Sequence, residues 1–219
     1  MTSTEIITHL KKQSSPIYHA GMARFGIDNS KALGVRLPFI RKLAMGIKKD
    51  HTLAMKLWDT EIHEAKILAT LIADPKQLTE KQMDHWTHGF YSWDVCDQAC
   101  GNLFVYAPFV LDKILEYTTS ELEFVKRAGF VLMAEYAVHQ KKADDGILIS
   151  FLPIIEREAW DNRNFVKKAI NWALRQIGKR NTMLRKVAID CAERILEQDT
   201  KAARWIAKDA LKELASLTP

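Results

Sequence analysis

Phe124-Val125-Lys126-Arg127-Ala128 returns 41 residues later as Phe165-Val166-Lys167-Lys168-Ala169. Trp205-Ile206-Ala207-Lys208 follows after a further 40 residues, and His63-Glu64-Ala65-Lys66-Ile67 reads as an older copy. A period near 40 residues is that of HEAT-type helix pairs. Each pair in such an array buries one face against its neighbours and leaves a concave face for a partner. The apolar spacing around the repeat is helical. Ile62, Ala65, Ile67, Leu68, Leu71 and Ile72 follow a 3.6-residue period, and so do Phe165, Val166, Ala169, Ile170, Ala173 and Leu174. No segment alternates with period two for long enough to argue for a strand.

Working outward, break signals separate these segments. Ser15-Pro16, Leu37-Pro38, Asp74-Pro75, Ala107-Pro108 and Asp144-Asp145-Gly146 fall between helical stretches. Thr119 or Ser120 is expected to cap a helix beginning near Glu121, Asp161 or Asn162 the one containing Phe165, and Ser92 the one that Trp93 begins. The last helix is expected from about Lys201 to Ala215. Roughly twelve helices result. The expected fold is all-α, a right-handed superhelical solenoid of HEAT-like antiparallel helix pairs with a concave basic face, in one domain spanning 1–219.

Composition narrows the class. Of the 219 residues, 47% are hydrophobic and 27% charged, too apolar for a disordered chain. Three cysteines do not make a disulfide framework. No apolar run approaches the ~18 residues a membrane helix needs. The polar start, Met1 to Gln13, is unlike a signal peptide. A soluble cytoplasmic protein is the expectation. Nine glycines and six prolines are few for a β-rich chain of this size.

The formal charge is +5. Residues 161–219 carry 13 basic and 7 acidic side chains, so the excess sits in the last quarter of the chain. A localised basic surface points to a polyanion, most often nucleic acid. In the repeat the basic pair directly follows an apolar pair, so Lys126/Arg127, Lys167/Lys168 and Lys208 are expected to align as a stripe facing phosphates. The bland alternative is a solvated helix edge.

Two constellations stand out. Trp93 and Asp97 are four apart and share a helix face, an aromatic plate beside a carboxylate that suits a cation. Trp172 and Arg175, three apart, make a plate and a cation suited to nucleobases. Arg24 and Phe25 offer a further phosphate contact and aromatic. Asp97 as an ordinary surface acid and Trp93 as core remain the alternative. His85 and His88, or Cys96 and Cys100, do not make a zinc site, and there is no Gly-rich nucleotide loop. No metal and no cofactor is expected.

Gly34-Val35-Arg36-Leu37-Pro38-Phe39-Ile40-Arg41, Leu57-Trp58-Asp59 with His63-Glu64-Ala65, Trp93-Asp94-Val95-Cys96-Asp97, Phe124 to Ala128 and Phe165 to Arg175 occur in that order. Together they resemble the DNA alkylation repair enzyme family, the AlkD-like DNA glycosylases built from HEAT-like repeats, over roughly residues 20 to 215. The resemblance implies a monofunctional glycosylase of base excision repair that removes N3- and N7-alkylated purines from duplex DNA and acts as a monomer. It matches Trp93 and Asp97 to the aromatic and catalytic acid, Arg127 to the arginine beside them, and Trp172 and Arg175 to the pair of the next repeat. Phe25 stands where AlkD-type members carry tyrosine, and the segment from Arg127 to Trp172 is longer here. Lys126, Lys168, Lys179 and Arg180, with Arg24, are the further phosphate contacts expected.

Such chemistry needs few groups. An N3- or N7-alkylated purine is already cationic and leaves as a neutral base, so one carboxylate stabilising the oxocarbenium-like sugar suffices. Two other readings share the scaffold: a non-catalytic DNA-structure binder, and a protein-binding HEAT module.

Overall fold

The computed structural model describes residues 1–217. Thirteen α-helices and two short 3₁₀ turns account for the regular structure of the described residues, which contain no strand. None of these helices is long and apolar enough to cross a membrane. The chain divides into two compact units, Met1–Pro108 and Phe109–Pro219.

The first unit holds α1 (Ser3–Lys12), α2 (Pro16–Met22), a 3₁₀ turn (Ala23–Phe25), α3 (Leu37–Ile47), α4 (His51–Trp58), α5 (His63–Ile72), α6 (Glu80–His88) and α7 (Trp93–Asn102). The break signals act as expected: Ser15 caps α2 and Pro16 opens it, while Pro38 sits in the first turn of α3. α5 is the central helix, packed on α3, α4 and α7 and buried on nearly every side. That burial extends to its polar residues. Lys66, 1% exposed, pairs with Glu61 at 2.7 Å and lies 4.8 Å from the Trp58 ring centre. Trp58 stacks on Trp86 at 4.1 Å, so both indoles are core.

Glu64 is the other buried charge on α5. Its carboxylate accepts from the backbone N–H groups of Leu33, Gly34 and Val35, at 2.7 to 3.0 Å. Gly34 has φ +77, and a Cβ there would stand 2.8 Å from His19 N, so no other residue fits without displacing α2. One carboxylate and one glycine thus fix the loop ahead of α3.

The second unit holds α8 (Val110–Thr118), α9 (Glu123–His139), α10 (Asp145–Glu158), α11 (Asn164–Gly178), α12 (Thr182–Glu197) and α13 (Lys201–Ala215). The last helix has the expected bounds. The repeat is physical here. The equivalent residues Phe124 and Phe165 meet with ring centres 5.4 Å apart. Asn171 on α11 donates to the carbonyl of Ile206 on α13, and Gln198, just after α12, to that of Glu156 on α10. Each contact joins an element to its counterpart one repeat away, as nearest-neighbour stacking requires.

Three capping expectations change. α9 starts at Glu123 with no side-chain cap, and the Ser120 hydroxyl accepts from Leu122 N instead. Asp161 precedes the α11 cap position and accepts from Arg163 N and its guanidinium. Ser92 is the N-cap of α7, but its hydroxyl is turned to Asp94.

Candidate functional site

The N-terminus of α7 gathers the chemistry of the first unit. Ser92 donates its hydroxyl to Asp94 Oδ1 at 2.7 Å, and His63 Nε2 lies 2.8 Å from Asp94 Oδ2. A carboxylate only accepts, so this Nε2 carries the proton and Nδ1 is left to accept from the Tyr91 hydroxyl at 3.0 Å. His63 is 1% exposed. Burial works to raise the Asp94 carboxyl, but the hydrogen bonds from His63, Ser92 and the Val95 N–H hold it below the usual carboxylate range. Burial and the neighbouring Asp94 charge push the Tyr91 phenol up, so it keeps its proton. Asp94 also lies in the first turn, where the helix dipole favours an anion.

Trp93 and Asp97 are both half-buried on α7, one turn apart. The Trp93 indole donates Nε1–H to the carbonyl of Phe25 at 3.0 Å. That bond joins α7 to the 3₁₀ turn after α2, while the Phe25 ring stays 73% exposed. Trp93 and Asp97 border one cavity of about 200 Å³, together with Tyr18, His63, Asp94 and Gln98. Met22, Ile27, Val35, Ile40 and Ile67 supply its apolar wall. The Glu64 clamp therefore reaches the site, because it sets Val35 in that wall. A half-enclosed apolar cavity with an aromatic plate and two carboxylates suits a flat, positively charged ring. Arg24 is exposed on the 3₁₀ turn.

In the second unit the expected residues meet different fates. Arg127, on α9, is buried and donates from Nη1 to the carbonyl of Phe165 at 2.7 Å, across the α9–α11 seam. Trp172 and Arg175 are half-buried on α11. Arg175 pairs with Glu213 and lies 3.6 Å from Asp209, and Lys179 shares Glu213. Lys168 and Lys208 are exposed, and Lys167 lies over the Trp205 ring at 5.6 Å.

Two expected phosphate contacts are corrected. Lys126 is 4% exposed, and its ammonium sits 2.7 Å from Glu158 and 3.1 Å from Asp161. Arg180 donates to the carbonyls of Ala137, Gln140 and Lys141, capping the C-terminus of α9. The basic stripe is interrupted for the same reason: a residue directly after a buried apolar pair stands at a helix seam, where its charge meets protein groups first.

Sequence reasoning missed His63, Asp94, Tyr91 and Ser92. A Ser-x-Asp at a helix start was visible, but the histidine that completes the array lies 31 residues earlier. Among the described residues no group of three or more metal-ligating side chains converges.

A family model described as DNA alkylation repair enzyme matches residues 6–214. No curated protein matches the chain. One similar solved structure is described as a new family of proteins related to the HEAT-like repeat DNA glycosylases, with affinity for branched DNA structures. It is 18% identical, with a TM-score of 0.81 over 97% of this chain and 95% of that one. That likeness gives the fold: the expected HEAT-like helical repeat.

Proposed function

The chain belongs to the DNA alkylation repair enzyme family, and on that premise we propose that it is a DNA glycosylase releasing N3- and N7-alkylated purines from duplex DNA. The observation that carries this reading is the placement of Trp93 and Asp97 one turn apart on the border of a single cavity. The alkylated base carries its own positive charge and leaves without a general acid. Charge then develops on the deoxyribose, and the Asp97 carboxylate stabilises it and orients the attacking water. Trp93 offers a face to the cation, worth about 0.5–2 kcal/mol. Its bond to the Phe25 carbonyl holds that face in one orientation. On the second unit Trp172 offers a stacking surface for DNA and the exposed Lys168 a phosphate contact, and on the first unit the exposed Arg24 offers another. Arg127 acts as a brace on the Phe165 carbonyl.

The test is release of 7-methylguanine and 3-methyladenine from methylated duplex DNA. Asp97→Asn should slow release by about two to three orders of magnitude, the usual cost of a lost transition-state contact. Absence of release by the wild type overturns the reading.

The described affinity of the similar solved structure for branched DNA favours a second reading, a non-catalytic binder of DNA junctions. It predicts junction binding that Asp97→Asn leaves unchanged, steep weakening of that binding with salt, and no released base.

A further inference from the structure

We propose that the solvent face of α13 holds an unpaired DNA strand, with Trp205 as the plate on which one of its bases stacks. This rests on DNA as the partner, which the glycosylase and junction-binder readings share, and adds which form of DNA this helix meets.

Helix phase is the first argument. Lys201, Arg204, Trp205, Lys208 and Lys212 are all exposed. Counted from Lys201 they fall three, four, seven and eleven residues on, which sets them on one face. Ala203, Ile206, Ala207, Ala210 and Leu214 fill the opposite face, against α11 and α12. Charge is the second argument. The two acids of α13, Asp209 and Glu213, lie on the flank toward Arg175, and Lys179 shares Glu213. Arg204 pairs with Asp199, just before the helix. Lys201, Lys208 and Lys212 have no ion-pair partner among the described residues. The exposed Lys168 adds a cation on α11, so a polyanion is the complement of this face.

The indole is the third argument. Trp205 is 39% exposed, and the Lys167 ammonium lies over its ring at 5.6 Å, which steadies the plate and puts one more cation beside it. A duplex keeps its base faces stacked inside and offers such a plate nothing, whereas every base of an unpaired strand has a π face to lay on it. Trp160 is exposed too, but it stands over Lys126, whose charge Glu158 and Asp161 already balance. From Lys201 to Lys212 the helix rises about 16 Å. That is room for about five nucleotides at a stacked spacing of about 3.4 Å. A membrane surface is a poorer complement, because the apolar face of α13 is buried in the fold and a lone indole leaves little to insert.

The experiment measures binding of the full chain, by fluorescence anisotropy, to a duplex carrying a single-stranded oligothymidine tail of either polarity, and to the same duplex with blunt ends. The tailed duplex should bind about tenfold more tightly, within the range for one base stacked on an aromatic side chain. Trp205→Ala should remove that preference and leave blunt-duplex binding unchanged. Where Trp205→Ala does not fold, Lys201→Gln, Lys208→Gln and Lys212→Gln are combined in one chain. Those changes should lower the salt slope for the tailed duplex by about 2, at about 0.7 for each phosphate contact of a single strand, and leave the blunt-duplex slope as it was. Equal binding of the two duplexes, a preference that survives in folded Trp205→Ala, or a slope that falls equally for both overturns the proposal. Binding to phosphatidylserine vesicles with no tail preference assigns the face to a membrane and overturns it as well. Tail preference without base release retains the strand site and removes the glycosylase. Base release without tail preference does the reverse.

Discussion

The Trp93 indole donates its N–H to the backbone carbonyl of Phe25, 3.0 Å away and 68 residues earlier in the chain. The bond stands at the surface, and the Phe25 carbonyl can take water in its place. Trp93→Phe should therefore cost about 1 kcal/mol of stability or less. It removes the restraint on the ring, and base release should fall about tenfold while melting moves little. Thermal unfolding measured beside single-turnover release checks both halves.

His63 holds the Asp94 carboxyl below its ordinary range. A depressed carboxylate contributes stability above its unfolded pKa of about 3.9, and that stability is lost as pH falls through the folded value. His63→Ala should raise the Asp94 pKa and flatten this part of the acid limb. It should also cost about 1.5–3 kcal/mol near neutral pH, typical for a hydrogen bond to a charged group. Carboxyl titration by NMR and denaturant melts between about pH 3 and 7 measure the two effects.

Lys126 and Lys168 are a matched contrast. Lys126→Met takes the ammonium from between Glu158 and Asp161, which keep Arg157 and Arg163 as partners, and should destabilise the chain by about 1.5–3 kcal/mol. The acids respond with it. Burial works to raise both, but Lys126 on Glu158, and Arg163 and Lys126 on Asp161, hold them low. In Lys126→Met their pKa values should rise. Lys168→Ala should leave stability unchanged and reduce the salt slope of duplex binding by about 0.9, the share of one phosphate contact. A salt titration of binding and a melting curve on each variant separate the roles.

Glu64→Gln replaces an all-acceptor carboxylate with a group that turns a donor toward one of three backbone donors. The amide oxygen can keep the place of Oε1, so the loss is the carboxylate's charge and the meeting of two donors at Leu33, about 1–2 kcal/mol. Because the clamp sets Val35 in the wall of the cavity that Trp93 and Asp97 border, base release should slow in the same variant. Denaturant unfolding and single-turnover release of 7-methylguanine read the two losses.

Substrate choice tests the leaving-group argument. Uracil is uncharged and needs protonation to depart, so uracil-containing duplex should be a poor substrate beside 7-methylguanine DNA. Robust release of uracil from the purified protein would contradict a site built on one stabilising carboxylate.

Local order was legible in the chain. The 40-residue echo of Phe124 in Phe165 and Trp205, and the 3.6-residue apolar period, determine helices and their stacking, because burying one face of each pair is a local, repeated requirement. Trp93 and Asp97 were legible for the same reason: residues four apart on a helix share a face. Tertiary packing decided which charges meet solvent. Lys126 and Lys168 sit at neighbouring positions of the same motif, yet the first is enclosed by Glu158 and Asp161 and the second is exposed. Packing also brought His63 to Asp94 and Val35 to the cavity wall. Helical periodicity orders residues within one helix, whereas these pairs join separate elements, and their partners are set by how those elements dock.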